Sequence, residues 1–154
     1  MATRPPTAAA TLPPAGAWTS RRFFALLAAL SPHRVISVCG PSTFEAILDF
    51  GPHGFASGYM NAVTPAYHWH LRTAGFAALR SVDATHARSG RRVLFFELRE
   101  HAGDERPFLL IYLHRERGEE FAPEREQRVL AAHVELKDGV LLRDEDAAAA
   151  EAQP

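Results

Sequence analysis

Cysteine and lysine are nearly missing from this chain: Cys39 and Lys137 stand alone among 154 residues. A lone cysteine excludes an internal disulfide and fits a reducing compartment. Sixteen arginines carry the remaining positive charge, so forked donors suited to carboxylates are plentiful. An excess of either sign is lacking too, the formal net charge being −1. That balance leaves no basic footprint for nucleic acid and no pull towards anionic lipid. No apolar run approaches the roughly 20 residues that span a bilayer. Also absent are a phosphate loop, a G-x-S-x-G elbow, a metal-type cysteine pair and a zinc-protease motif. Nothing pairs a nucleophile with a base, so hydrolytic and phosphoryl-transfer chemistry are disfavoured.

The composition is 47% hydrophobic and 23% charged, which predicts one ordered domain with a real core. Residues 1–16, rich in Ala, Pro and Thr without apolar periodicity, read as a disordered tail. Residues 143–154 read as a flexible acidic and alanine-rich tail, leaving 17–142 as the single folded domain. Ser20-Arg21-Arg22-Phe23-Phe24 imitates a twin-arginine export signal, but no small-x-small cleavage site follows the short apolar stretch. We therefore expect a folded segment there and a cytoplasmic location.

Thr19 or Ser20 caps a helix running to Leu30, with Phe23, Leu26, Leu27 and Leu30 at helical spacing. Pro32 stops it. Strands are expected over Arg34–Cys39, Thr43–Phe50, Phe55–Val63, Ala66–Arg72 and Phe76–Ala84. Arg92–Glu100 and Pro107–His114 flank a polar loop and give the strongest hairpin signal. Pro123–Lys137 reads as a closing amphipathic helix with Val129, Leu130, His133, Val134 and Leu136 on one flank. The expected fold is α+β: one large antiparallel meander of six or seven strands with a helix at each end. Few helices cover such a sheet, so its other face meets a partner subunit or a ligand.

The chemistry concentrates in Tyr67-His68-Trp69-His70-Leu71. On a strand, His68 and His70 share one face, while Tyr67, Trp69 and Leu71 point to the core. The pair suits iron, another metal, or simply a wet sheet face. A mononuclear metal enzyme on this motif needs more ligands, and only His114 or Glu97 offers one. His53 and His101 fall in turns, and His33, His86, His114 and His133 are expected at element ends or on surfaces. Cys39 ends an apolar strand, where burial is the usual outcome. As a thiolate it could bind haem iron.

Six stretches together resemble the haem-utilisation carrier family, the ChuX/HutX-like proteins related to HemS and ChuS. They are FFALLAALSPHRVISV (23–38), EAILDF (45–50), GYMN (58–61), HWHL (68–71), RVLFFEL (92–98) and FLLIYLHRERGEEFAPEREQRVLAAH (108–133). The resemblance implies an α+β fold with a large antiparallel sheet flanked by N- and C-terminal helices, and a homodimer. It also implies a cytoplasmic protein that carries or stores haem, working beside a haem importer or a haem-degrading enzyme. Larger two-repeat relatives degrade haem, so an oxygenase-like role is the alternative, and a sheet protein that has lost haem is a third. His70 stands where the family places a haem-coordinating histidine, and His68 is its same-face companion for iron or propionates. The family's second histidine is missing from Val38-Cys39-Gly40-Pro41-Ser42, so haem is five-coordinate through His70, or Cys39 or His53 supplies a replacement, or haem is no longer bound well. For the propionates, Arg72, Arg80 and Arg88 lie nearby in sequence, and Tyr59 and Met60 are candidates to line the groove.

Overall fold

The computed structural model describes residues 18–142; the expected tails at 1–16 and 143–154 lie outside the described residues. The first helix, α1, is Ser20–Leu30, and Thr19 caps it: its Oγ1 accepts the Arg22 amide at 3.2 Å. Phe23, Phe24, Leu27 and Leu30 are fully buried, so the apolar stretch of the twin-arginine look-alike is core, while Arg21 is exposed. Burial of such side chains stabilises by about 1.5–3 kcal/mol each. Ser31 turns extended before Pro32, as the residue before a proline must, and the helix ends there.

Two sheets follow, not one. β1 (His33–Cys39), β2 (Ser42–Leu48), β6 (Ala78–Thr85), β7 (Arg92–Arg99), β8 (Leu109–Leu113) and β9 (Val140–Leu141) form an antiparallel sheet in the order β2-β1-β8-β7-β6-β9. Their alternation places Val35, Ile111, Phe96 and Leu79 on the helix side. The β7–β8 hairpin forms as its polar loop predicts, with Phe96 opposite Ile111. The path is not a simple meander, because β8 returns to pair with β1.

The second sheet is β3 (Gly54–Ala56), β4 (Tyr59–Val63) and β5 (His68–Arg72); β5 lies within the expected strand Ala66–Arg72, whereas β3 and β4 come from what the sequence suggests is one strand at Phe55–Val63. Ser57 and Gly58 both take positive φ, 54° and 78°, and fold that run into a two-residue hairpin. After β5 comes a short 3-10 turn at Thr73–Gly75.

α1 lies between the sheets. Phe23 meets Phe96 of β7 edge-on at 5.3 Å, while its neighbour Phe24 packs against Phe50, Phe55 and Trp69. The second helix, α2 (Pro123–Leu136), packs along β6 and buries Val129, Ala132 and Leu136. Val134, expected on the buried flank, is 72% exposed. Glu135 joins the helices, accepting from Trp18 Nε1 at 2.9 Å and from Arg22 at 3.1 Å.

One further expectation changes, and two histidines stand at element ends as expected but are buried there. Cys39 is exposed at the β1–β2 hairpin tip, because β1 outruns the helix that covers its first residues. His33 and His114 are buried, since α1 folds back over the start of β1 and the end of β8.

Candidate functional site

The β4–β5 register decides which side chains meet. Tyr59 stands opposite Arg72, Asn61 opposite His70, and Val63 opposite His68. Alternate residues Met60, Ala62, Trp69 and Leu71 point to the core, where Met60 and Ala62 are buried. His68, His70, Arg72 and Tyr59 therefore share the open face of the small sheet, as the spacing of the two histidines predicts. Their rings lie 6.4 Å apart and nearly perpendicular. Tyr59 and Val63 are 40% and 48% exposed, which supplies apolar surface beside the imidazoles. Gly54, opposite Asn61 on β3, has open space where a side chain would stand, so the face is shallow there.

A rigid frame holds this face. The Tyr67 hydroxyl donates to the Asp49 carbonyl at 2.5 Å and accepts the Asp49 amide at 3.1 Å. Thr64 Oγ1 accepts the Ala66 and Tyr67 amides, closing the β4–β5 turn. At the other end Thr73 donates both its amide and its hydroxyl to the Gly58 carbonyl. Below, Trp69 wedges against Phe50 at 5.3 Å. Strands held this way present side chains more exactly than a free loop can.

One contact on the face is specific. His70 Nδ1 lies 2.6 Å from Asn61 Oδ1, and Asn61 Nδ2 donates to the Tyr59 carbonyl at 3.1 Å. Asn61 escapes a reading by residue type alone. Its signal is the four-residue turn Thr64–Tyr67: counted outward from it, Val63 meets His68 and Asn61 meets His70.

The other candidates are elsewhere. Met60 points into the core and lines no open groove. Arg80 is on β6 and binds Glu97 at 2.7 Å, a carboxylate shared with Arg99. Arg88 is exposed in the β6–β7 turn. Cys39 belongs to the larger sheet. His53 is half-buried on the helix side, its ring against Phe24 and Phe55 and its Nδ1 2.8 Å from the Phe50 carbonyl. Neither His114, at the end of β8, nor Glu97, on the outer face of the large sheet, joins the pair. Among the described residues no three His, Cys, Asp or Glu side chains cluster to hold a metal ion.

The six-stranded sheet has its own uncovered face. Ile36, Val38, Ile47, Leu110, Phe95 and Tyr112 point away from the helices, and the last two stack at 4.5 Å. The Arg34–Glu45 pair and the Arg80–Glu97–Arg99 group interrupt this apolar area. Among the described residues no helix is long and apolar enough to cross a membrane.

No protein-family model matches the chain, and no curated relative matches it. Solved structures do. AGR_C_4470 from Agrobacterium tumefaciens is 15% identical, with 76% of this chain and 66% of that one covered and a TM-score of 0.61. The heme-binding protein ChuX is 10% identical over 75% of this chain and 71% of its own, with the same TM-score of 0.61. Holo-PhuS, a heme-binding protein from Pseudomonas aeruginosa, is 17% identical, with 73% of this chain covered and a TM-score of 0.56. The present chain spans slightly under two thirds of the Agrobacterium protein and 33% of PhuS. At these identities the likeness is one of fold: the chain is built as ChuX and PhuS are, an α+β domain on a large antiparallel sheet.

Proposed function

We propose that this chain binds haem on the open face of β3–β5 and carries or stores it in the cytoplasm, with His70 as the iron ligand. The observation that carries the reading is that His68, His70, Tyr59 and Arg72 share one exposed face. The donor set fits the group. An axial imidazole, apolar and aromatic surface, and a rim cation for carboxylates are what haem requires, and each is present. His70 supplies the nitrogen, Tyr59 and Val63 the surface, and Arg72 the forked donor, which has no ion pair among the described residues. Haem bound there would supply redox-active iron. Supporting the reading from outside, two neighbours of the same fold are heme-binding proteins. Cys39 lies on the other sheet and His53 behind this one, so neither supports a second ligand from this protomer.

The uncovered face of the six-stranded sheet supports a homodimer. It carries apolar area and charges of both signs, so a second copy related by a two-fold axis can meet it with complementary groups. A haem importer or haem-degrading enzyme is the partner class that a carrier serves.

Titration of the purified apo-protein with haem, followed by absorbance, tests the reading. A saturable shift of the Soret band at one equivalent is expected; an unchanged band overturns it. Incubating the complex with reductant and catalase separates carrier from oxygenase. Steady bleaching to a tetrapyrrole product would assign the enzyme role.

A further inference from the structure

The position of His70 is set by a relay that begins in the backbone. The Tyr59 carbonyl can only accept, so the Asn61 group facing it is the amide nitrogen, at 3.1 Å. That orientation turns Asn61 Oδ1, an acceptor without a proton, towards His70 Nδ1 at 2.6 Å. The imidazole must then carry its proton on Nδ1, because two acceptors cannot share a hydrogen bond. Nε2 is left as a bare lone pair on an exposed side chain.

From this geometry we infer that Asn61 is the positioning residue of the haem site, holding His70 in the Nδ1–H tautomer with Nε2 presented to iron. The inference rests on the haem reading and deepens it. Cross-strand pairing makes the arrangement rigid: Asn61 and His70 are register partners, so no loop movement is needed to keep them together. A hydrogen bond at the far nitrogen of a ligating histidine fixes its ring and raises its basicity, and outer partners of this kind govern ligand strength. His68 differs, because its cross-strand partner is Val63, which offers no acceptor side chain. The asymmetry between the two histidines gives His70 the ligand role and leaves His68 free for the ring edge.

The experiment has two arms, on wild type, Asn61→Leu and Asn61→Asp. Nitrogen-15 NMR of the haem-free proteins reads the tautomer directly. Wild type is expected to hold the Nδ1–H form, Asn61→Leu to move towards Nε2–H, and Asn61→Asp to restore Nδ1–H. Haem titration of the same proteins is expected to show a loss of roughly 10-fold in affinity for Asn61→Leu. Asn61→Asp is expected to recover it, with a lower reduction potential than wild type because a carboxylate is the stronger acceptor. An unchanged His70 tautomer in Asn61→Leu overturns the inference, as does unchanged affinity in a protein where His70→Ala weakens binding. A wild type that takes up no haem overturns the ligand role and the haem reading together, while the NMR arm still decides whether Asn61 sets the tautomer.

Discussion

At the residue scale, the buried histidine that the site does not use has a measurable consequence. His33 is fully buried where α1 ends and β1 begins, edge-on to Phe50, with Nε2 2.8 Å from the Leu27 carbonyl. Its Nδ1 has no hydrogen-bond partner. Burial lowers its pKa from 6.5 to about 4, and the Arg125 charge adds to the effect while the Leu27 carbonyl opposes it. An unfolded histidine takes its proton near 6.5, so between 6.5 and 4 acid favours the unfolded chain. The His33 contribution to stability is level above that window and falls by about 3 kcal/mol across it. Urea unfolding from pH 7 to pH 4 checks this, and His33→Gln is expected to flatten the slope despite a lower starting stability. Equal slopes in the two proteins would contradict the assignment. Sequence alone places His33 at an element end, which is correct. Its burial depends on α1 folding back over the sheet, a contact that local pattern does not encode. His68 and His70 were legible for the opposite reason, since a period of two needs no tertiary information.

Among the elements, Arg125 of α2 completes the C-terminal cap of α1, where Ser31 Oγ already donates to the Leu27 carbonyl. Its guanidinium donates to the Leu30 carbonyl at 2.6 and 3.1 Å, to Pro32 at 3.0 Å and to His114 at 3.0 Å. One planar fork thus joins α1, the entry to β1, the exit of β8 and α2. Arg125→Ala removes the donors of the Leu30 and His114 carbonyls, while Pro32 keeps the His114 amide, and we expect a loss of about 2 kcal/mol in denaturant unfolding. Arg125→Lys should recover only part of it, because an ammonium cannot span the same set of acceptors. Gly58 tests a second element. With φ at +78°, a Cβ there is strained even though nothing crowds it, so Gly58→Ala should cost about 1 kcal/mol by the same measurement. The two helices and the β7–β8 hairpin were legible because periodicity and turn chemistry agree over long stretches. The β3–β4 hairpin was hidden: Ser57-Gly58 is a modest turn signal inside an apolar run, and three-residue β3 is too short to show alternation.

Seen as a whole molecule, the chain is asymmetric about α1: a small sheet carries the polar candidate site, and a large sheet carries an apolar outer face. Alternation tells which side chains share a face but not which strands share a sheet, so the division into two sheets was not legible. The large sheet's outer face gives the dimer prediction. Ile47 is 53% exposed there, away from the core and the small sheet. Ile47→Asp is expected to shift light scattering from dimer to monomer with the circular dichroism spectrum unchanged. A monomeric wild type would contradict the dimer without bearing on the haem site. For that site the most direct measurement is absorbance of stoichiometric haem with wild type, His68→Ala and His70→Ala side by side. An intact Soret complex is expected in wild type, a largely retained one in His68→Ala, and its loss in His70→Ala. Equal spectra for wild type and His70→Ala would contradict the ligand role of His70.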